Sequence, residues 1–150
     1  MNFIKPKFWK NNNILVYFLL PLTIITKIII LLKNNQQNYD PKIATICIGN
    51  IYLGGTGKTQ LVLKINQFLK KKYKTFVIKK YYKNQFDEQQ LLKKRTRLIL
   101  PKNRLEGLKK IDKSKTNLAI FDDGLQDKSI KYSLSIVCFN SISGIGNGRL

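Results

Sequence analysis

Short apolar runs alternate with stretches of helical periodicity through most of the chain after residue 40. The apolar runs predict strands at Ile43–Ile48, Thr75–Lys79, Arg97–Leu100, Asn117–Phe121 and Leu134–Phe139. The helical stretches predict helices from about Lys58 to Lys72, at Asp87–Arg95 and at Asn103–Ile111. Strands that alternate with helices are typical of a parallel sheet covered by helices on both sides. We therefore expect an α/β fold.

A long apolar segment precedes this α/β pattern. Ile14–Leu32 carries a single charge, Lys27, and contains Pro21. A helix of that length can cross a bilayer core of roughly 30 Å, in which proline is tolerated and lysine can snorkel. The alternatives are a buried helix of a soluble protein and a cleaved signal peptide, although no small-residue cleavage site follows. The segment favours a membrane anchor and linker at residues 1–38.

A glycine-rich turn follows the first predicted strand and leads into the first helix of the α/β pattern. It contains Gly54, Gly55, Thr56, Gly57, Lys58 and Thr59. Glycines allow backbone N–H groups to converge on phosphate oxygens, lysine adds a point charge, and the threonine hydroxyl can ligate Mg²⁺. Tyr52 stands where the strict phosphate-loop spacing has glycine, so a glycine-rich hairpin or linker is the alternative. The arrangement predicts a P-loop NTPase-like domain at residues 39–150.

Acidic residues occur at two informative places. Asp122 and Asp123 end the apolar run Leu118–Phe121, so they should lie at the ligand-binding edge of a parallel sheet, where carboxylates can hold Mg²⁺. A solvated turn is the alternative. Asp87 and Glu88 either favour the first turn of a helix through its dipole or provide a base for an acceptor hydroxyl.

Composition narrows the possible functions. The net charge is +20, and lysine accounts for most of the 28 basic residues, with no recognisable nucleic-acid-binding motif. Attraction to acidic lipids or a phosphorylated substrate is therefore favoured over nucleic-acid binding. Cys47 and Cys138 lie within apolar runs and are expected to be core residues and not a disulfide. The chain has no histidine, which excludes a histidine zinc site and a Ser-His-Asp triad within it.

Four motifs, in this order, resemble the tetraacyldisaccharide 4'-kinase family, which phosphorylates lipid A precursors. Phe8-Trp9 with Leu20-Pro21-Leu22 resembles the membrane anchor of that family. Ile48-Gly49-Asn50 followed by Gly54–Thr59 resembles its variant phosphate loop, which also lacks the first glycine. The other two similar segments are Asp122-Asp123-Gly124-Leu125-Gln126 and Gly144–Leu150.

The resemblance implies a reaction and a set of roles. ATP would phosphorylate the 4' hydroxyl of a lipid-linked disaccharide 1-phosphate at the cytoplasmic face of the bacterial inner membrane. Lys58 and Thr59 would serve the nucleotide phosphates and Mg²⁺, Asp122 and Asp123 would position metal and phosphate, and Asp87 would belong to the base. The implied ligands are ATP and Mg²⁺, and the implied partners are the lipid substrate and the membrane.

The chain also departs from the family pattern. The Ser-Arg-Gly-Tyr motif of the family is replaced here by Lys79-Lys80-Tyr81-Tyr82. Gln60 stands where the family has a proline, and Asp127 stands where it has a histidine. Family members are about twice as long, and the second half carries the histidine thought to assist the acid at position 87. We therefore expect an N-terminal half of such a kinase, with a separately encoded second half as a possible partner. A catalytically incompetent nucleotide-binding fragment is the alternative, and a basic nucleic-acid-binding protein is a third hypothesis.

Overall fold

A computed structural model of the chain describes residues 21–29, 39–50, 57–112 and 116–139. Residues 21–29 are helical (α1). The α/β unit, Gln37–Cys138, contains a five-stranded sheet. Its elements in chain order are β1 (Ala44–Asn50), α2 (Lys58–Leu69), β2 (Thr75–Lys79), a 3-10 turn (Lys83–Gln85), α3 (Phe86–Arg95), β3 (Leu98–Ile99), α4 (Arg104–Asp112), β4 (Leu118–Asp122) and β5 (Leu134–Cys138).

Strand β4 is at the centre of a sheet in which every described pairing is parallel. The strand order is β3-β2-β4-β1-β5. All five residues of β4 are buried, as expected of a parallel strand with helices on both faces. Because successive side chains of a strand point to opposite faces, β4 contributes Ala119 and Phe121 to one core and Leu118 and Ile120 to the other.

The two cores bury different helices against the sheet. Leu108 and Ile111 of α4 pack in the core that contains Phe121. Val62 and Leu63 of α2 and Leu92 of α3 pack in the core that contains Ile120. The predicted parallel sheet with flanking helices is therefore confirmed, and the apolar runs mark its strands.

Two element ends differ from the sequence prediction. Helix α2 ends at Leu69 and not near Lys72, where Lys72 N–H donates to the Leu69 carbonyl only three residues back, and a tighter turn replaces the last predicted helical turn. The strand predicted at Arg97–Leu100 is reduced to Leu98–Ile99, just before Pro101, which lacks an N–H to continue a ladder. Both Cys47 and Cys138 are free thiols; Cys47 is buried and Cys138 partly buried.

The predicted membrane segment is described only at residues 21–29. In the described ranges no helix combines the length and apolar character needed to cross a bilayer. The remaining residues of Ile14–Leu32 and the aromatic pair Phe8-Trp9 lie outside the described residues, so the anchor stays a prediction.

The position of β4 leads to a stability prediction. Phe121 is fully buried, and its ring meets that of Tyr132 edge-on with centroids 5.0 Å apart, whereas Phe68 on α2 is 79% exposed. Phe121→Ala should lower the free energy of unfolding by about 3–5 kcal/mol, because it removes a large side chain from a packed core. Phe68→Ala, the matched control, should change it by less than about 0.5 kcal/mol. Urea unfolding of both variants measures this, and equal losses would contradict the assigned core.

Candidate functional site

Parallel pairing brings the carboxyl ends of three strands to one edge of the sheet. Residue Asp122, the last of β4, is aligned with Lys79, the last of β2, and with Ile48 near the end of β1. Asn50 ends β1, and Asp123 N–H donates to the Ile48 carbonyl across 2.7 Å. The carboxyl edge of a parallel sheet is where ligands bind in such folds, so this edge is the candidate site.

Helix α2 begins at this edge. Gly57 precedes it with a left-handed backbone, φ +75°, which glycine adopts without strain. The carbonyl of Gly57 accepts from Leu61 N–H at 3.0 Å, while no acidic residue occupies the first turn. The free N–H groups and the dipole of this helix start therefore present positive charge to the site.

Lys58 joins the end of β1 to the turn after β4. Its Nζ atom lies 2.8 Å from Oδ1 of Asn50 and 3.0 Å from Oδ1 of Asp123. The lysine side chain is mostly buried and that of Asp123 is half exposed. An ammonium has three N–H donors, so two are engaged by described residues and a third is available for an anion.

Asp122 is the most buried acid in the described part of the chain. It has no solvent exposure, and its Oδ2 accepts from Lys79 Nζ at 2.8 Å. The same ammonium donates to Oε2 of Glu88 at 2.9 Å. Burial raises the pKa of Asp122 while Lys79 opposes the rise; burial would lower the pKa of Lys79, but the two carboxylates outweigh it and leave that pKa raised. Lys79 therefore stays protonated at neutral pH.

One oxygen of Asp122 lacks a hydrogen-bond partner. Its Oδ1 atom is buried and contacts no donor among the described residues. A buried carboxylate oxygen without a donor is costly unless a ligand, water or cation satisfies it. This atom is therefore a position where the site can receive a cation.

Asp123 has a left-handed backbone, with φ +64°. Asp tolerates this region better than most residues, although it is still less favourable than an ordinary turn. Arg104, at the start of α4, donates from Nη2 to the Asp123 carbonyl, and its Nη1 lies 3.6 Å from Asp127. The arginine thus fixes the turn that directs the Asp123 carboxylate toward Lys58.

Two glycines permit close packing beneath these groups. A Cβ on Gly49 would come within 2.5 Å of the Leu125 side chain, and one on Gly124 would lie 3.0 Å from Cys47 Sγ. Glycine at these positions lets the turn after β4 pack against β1. Burial, the largest influence, raises the pKa of the Cys47 thiol to about 11.

The predicted site residues are not all brought together. Lys58 and Asp123 are in contact, Asp122 is aligned beside them in the sheet, and Thr59 lies half-buried in the first turn of α2. Asp87 is exposed in the first turn of α3, and its carboxylate makes no ion pair or hydrogen bond with the described residues. Gly54, Gly55 and Thr56, and the segment Gly144–Leu150, lie outside the described residues.

Sequence reasoning missed four residues of this site: Asn50, Lys79, Glu88 and Arg104. Lys79 is noted in the sequence only as a departure from a family motif, and Asn50 only as part of the segment that resembles a phosphate loop. Glu88 is considered only together with Asp87, as a helix-start acid or a base. The available signal was positional: Lys79 ends the predicted strand Thr75–Lys79, and Asn50 comes two residues after the predicted strand Ile43–Ile48. Both therefore had to lie near the same edge as Asp122. Arg104 carried no comparable signal, since its role depends on how α4 packs.

The chain is similar in sequence to proteins of a known enzyme family. The family model for tetraacyldisaccharide-1-P 4'-kinase matches residues 15–89 and 85–150. The chain is 48% identical to the tetraacyldisaccharide 4'-kinase of Pelagibacter ubique over 99% of its own length and 48% of the relative's. It is 35% identical to the enzyme of that name from Rickettsia akari, covering 97% of this chain and 50% of that one. The chain thus spans about half the length of the curated relatives it matches.

A solved structure shares the fold. It is that of the "apo" form of LpxK from Aquifex aeolicus in complex with ATP, with a TM-score of 0.68 and 22% identity. The match covers 91% of this chain and 54% of that one. This structural similarity supports the fold assignment without relying on the sequence motifs.

The buried thiol beside the site leads to a pH prediction. The pKa of Cys47 is about 11 in the folded chain against an ordinary value of 9.0, so the unfolded chain loses this proton first as pH rises. The contribution of this thiol to the free energy of unfolding should be fully present below about pH 9 and should fall by about 2–3 kcal/mol by pH 11. Urea unfolding at pH 8, 9.5 and 11 should show this additional loss in the wild type and in Cys138→Ala. Cys47→Ala should show only the smaller loss that comes from the other titrating groups. An equal loss in all three proteins would contradict it.

Proposed function

Because this chain belongs to the tetraacyldisaccharide-1-P 4'-kinase family, we propose that it supplies the ATP-binding half of a kinase acting on a lipid A precursor. The reaction is transfer of the terminal phosphate of ATP to the 4' hydroxyl of a lipid-linked disaccharide 1-phosphate. The relatives' names support the reaction, and the ATP of the LpxK complex supports the nucleotide. The single observation in this chain that carries the proposal is the position of Lys58 between Asn50 and Asp123 at the start of α2.

Lys58 and the start of α2 are suited to phosphate. The free N–H groups of the first helical turn and the remaining N–H of Lys58 all offer donors to phosphate oxygens. Asn50 and Asp123 hold the ammonium in place before any ligand arrives, so little side-chain entropy is lost on binding. Gly54, Gly55, Thr56 and Gly57 would complete the cradle through their backbone.

The acids fit Mg²⁺ through one available oxygen. Oδ1 of Asp122 lacks a partner among the described residues, and the Thr59 hydroxyl lies in the helix turn beside the phosphate position. These two groups would hold the ion, with Asp123 positioned close to the phosphates by Lys58. When bound, Mg²⁺ neutralises charge on the phosphate oxygens.

The acceptor side of the reaction depends on Asp87 in this proposal. As an exposed carboxylate at the start of α3, Asp87 can accept a proton from a hydroxyl that approaches from solvent. Glu88, its neighbour, is held by Lys79 and is less available for this role. The remaining contacts to the sugar would come from the half of the relatives that this chain does not match.

The first test of this proposal is ATP binding. Lys58→Ala should abolish Mg-ATP binding measured by calorimetry, because it removes the side-chain cation at the phosphate position. Lys64→Ala is the matched control: it removes the same charge from an exposed position on the same helix and should leave affinity unchanged. Equal affinities for wild type and Lys58→Ala would contradict the assignment of the phosphate site.

The second test is phosphate transfer. We expect the 150 residues to bind ATP yet transfer labelled γ-phosphate to a lipid A disaccharide 1-phosphate only weakly, since transfer needs a positioned acceptor and base. Co-expression with the half that corresponds to the rest of the relatives should restore transfer, and Asp87→Asn should then reduce it. Efficient transfer by the 150 residues alone would mean that they already contain a complete site.

Membrane attachment is a separate part of the proposal. Residues 14–32 would anchor the chain at the bacterial inner membrane, with the ATP site facing the cytoplasm and the excess of lysine drawn to acidic lipids. The chain should remain in carbonate-washed membranes, and a chain lacking residues 1–38 should be released. Complete release of the full chain by the wash would contradict an anchor that spans the bilayer.

A further inference from the structure

A lysine ammonium lies between two carboxylates at the edge of the candidate site. Nζ of Lys79 is 2.8 Å from Oδ2 of Asp122 and 2.9 Å from Oε2 of Glu88. The Lys79 and Asp122 side chains are 4% and 0% exposed, whereas that of Glu88 is half exposed. Carboxylate oxygens are also the ligands that a divalent cation prefers, so the ammonium occupies a place where a metal ion would find two of its ligands.

The surrounding backbone fixes this arrangement. Lys79 and Asp122 end neighbouring parallel strands and are direct partners in the register, so their side chains share one face of the sheet. Glu88 lies in the first turn of α3, where the Gln89 amide donates to the carbonyls of Tyr82 and Gln85 and holds the helix start. The ion pair therefore follows from elements that are held independently of it.

We propose that Lys79 is a built-in counter-cation that prevents Asp122 and Glu88 from binding a divalent cation in the absence of nucleotide. The inference rests on the proposed nucleotide site, but its test requires no nucleotide. With Lys79 present, its ammonium engages Oδ2 of Asp122 and Oε2 of Glu88, and its positive charge already balances one of the two negative charges. A divalent cation then meets only the remaining oxygens, Oδ1 of Asp122 and the second oxygen of the half-exposed Glu88, beside a repelling ammonium.

The consequence is an order of binding. Phosphate oxygens provide the further ligands and negative charge that the cluster lacks, so the ion enters together with the nucleotide and not before it. Removing the Lys79 charge should create a site that binds metal alone.

Binding of Mn²⁺ to the nucleotide-free full-length chain, followed by electron paramagnetic resonance, tests this inference. Lys79→Met keeps most of the side-chain volume without the charge and should bind Mn²⁺ at least about tenfold more tightly than wild type. Lys79→Arg keeps the charge and should show no gain. Lys80→Met removes the same charge from the next residue, whose ammonium lies over the Tyr82 ring, and should also show no gain.

Three results would overturn the inference: no gain in Lys79→Met, an equal gain in Lys80→Met, or a gain that persists in Lys79→Met/Asp122→Asn. If Lys79→Met does not fold because Asp122 is left without a counter-charge, Mn²⁺ should restore folding, as judged by circular dichroism, and failure to do so would also overturn it. The outcome is independent of the Lys58→Ala test. If Lys79→Met gains metal affinity but the wild type does not bind ATP, this inference stands and the proposed function fails.

Discussion

The ion pair between Asp122 and Lys79 is the interaction on which the arrangement of the site depends. Both side chains are buried at the ends of β2 and β4, where a charge without a partner would cost roughly several kcal/mol. The pairing of β2 with β4 places the two residues side by side, so the sheet supplies the geometry and the charges satisfy each other. Removing Lys79 would leave Asp122 as a buried charge without a partner, whereas removing Asp122 would leave Lys79 paired with Glu88 alone.

Other contacts at the edge follow the same pattern of charges held before a ligand arrives. Lys58 is placed by Asn50 and Asp123, and Asp123 is placed by Arg104. Lys58 is shared between a side-chain amide and an acid, and Arg104 is shared between the Asp123 carbonyl and the Asp127 carboxylate. Such preorganisation lowers the entropy that ligand binding must otherwise overcome.

The sequence predicted the sheet well and the charge network poorly, for identifiable reasons. The run Thr75–Lys79 was predicted with its observed bounds because three apolar residues between polar neighbours mark a short buried strand. Lys79 itself was noted only as a departure from a family motif. Hydrophobic periodicity does not show the order of strands in a sheet, and only the pairing of β2 with β4 shows that Lys79 lies beside Asp122. Asp87 was favoured over Glu88 by motif position, yet the turn of α3 brings Glu88 to Lys79 and leaves Asp87 exposed.

The close approach of Gly49 to Leu125 sets a mechanical constraint on the site. With no side chain on Gly49, Leu125 lies directly against the end of β1, and a larger residue at position 49 would push against Leu125 and the turn that carries Asp123. Asn50 and Asp123 contact the same ammonium, so the separation of these two residues depends on the close packing that Gly49 permits one residue earlier. The position of the lysine charge is therefore set by a steric contact between the turn after β4 and β1 as well as by its own hydrogen bonds.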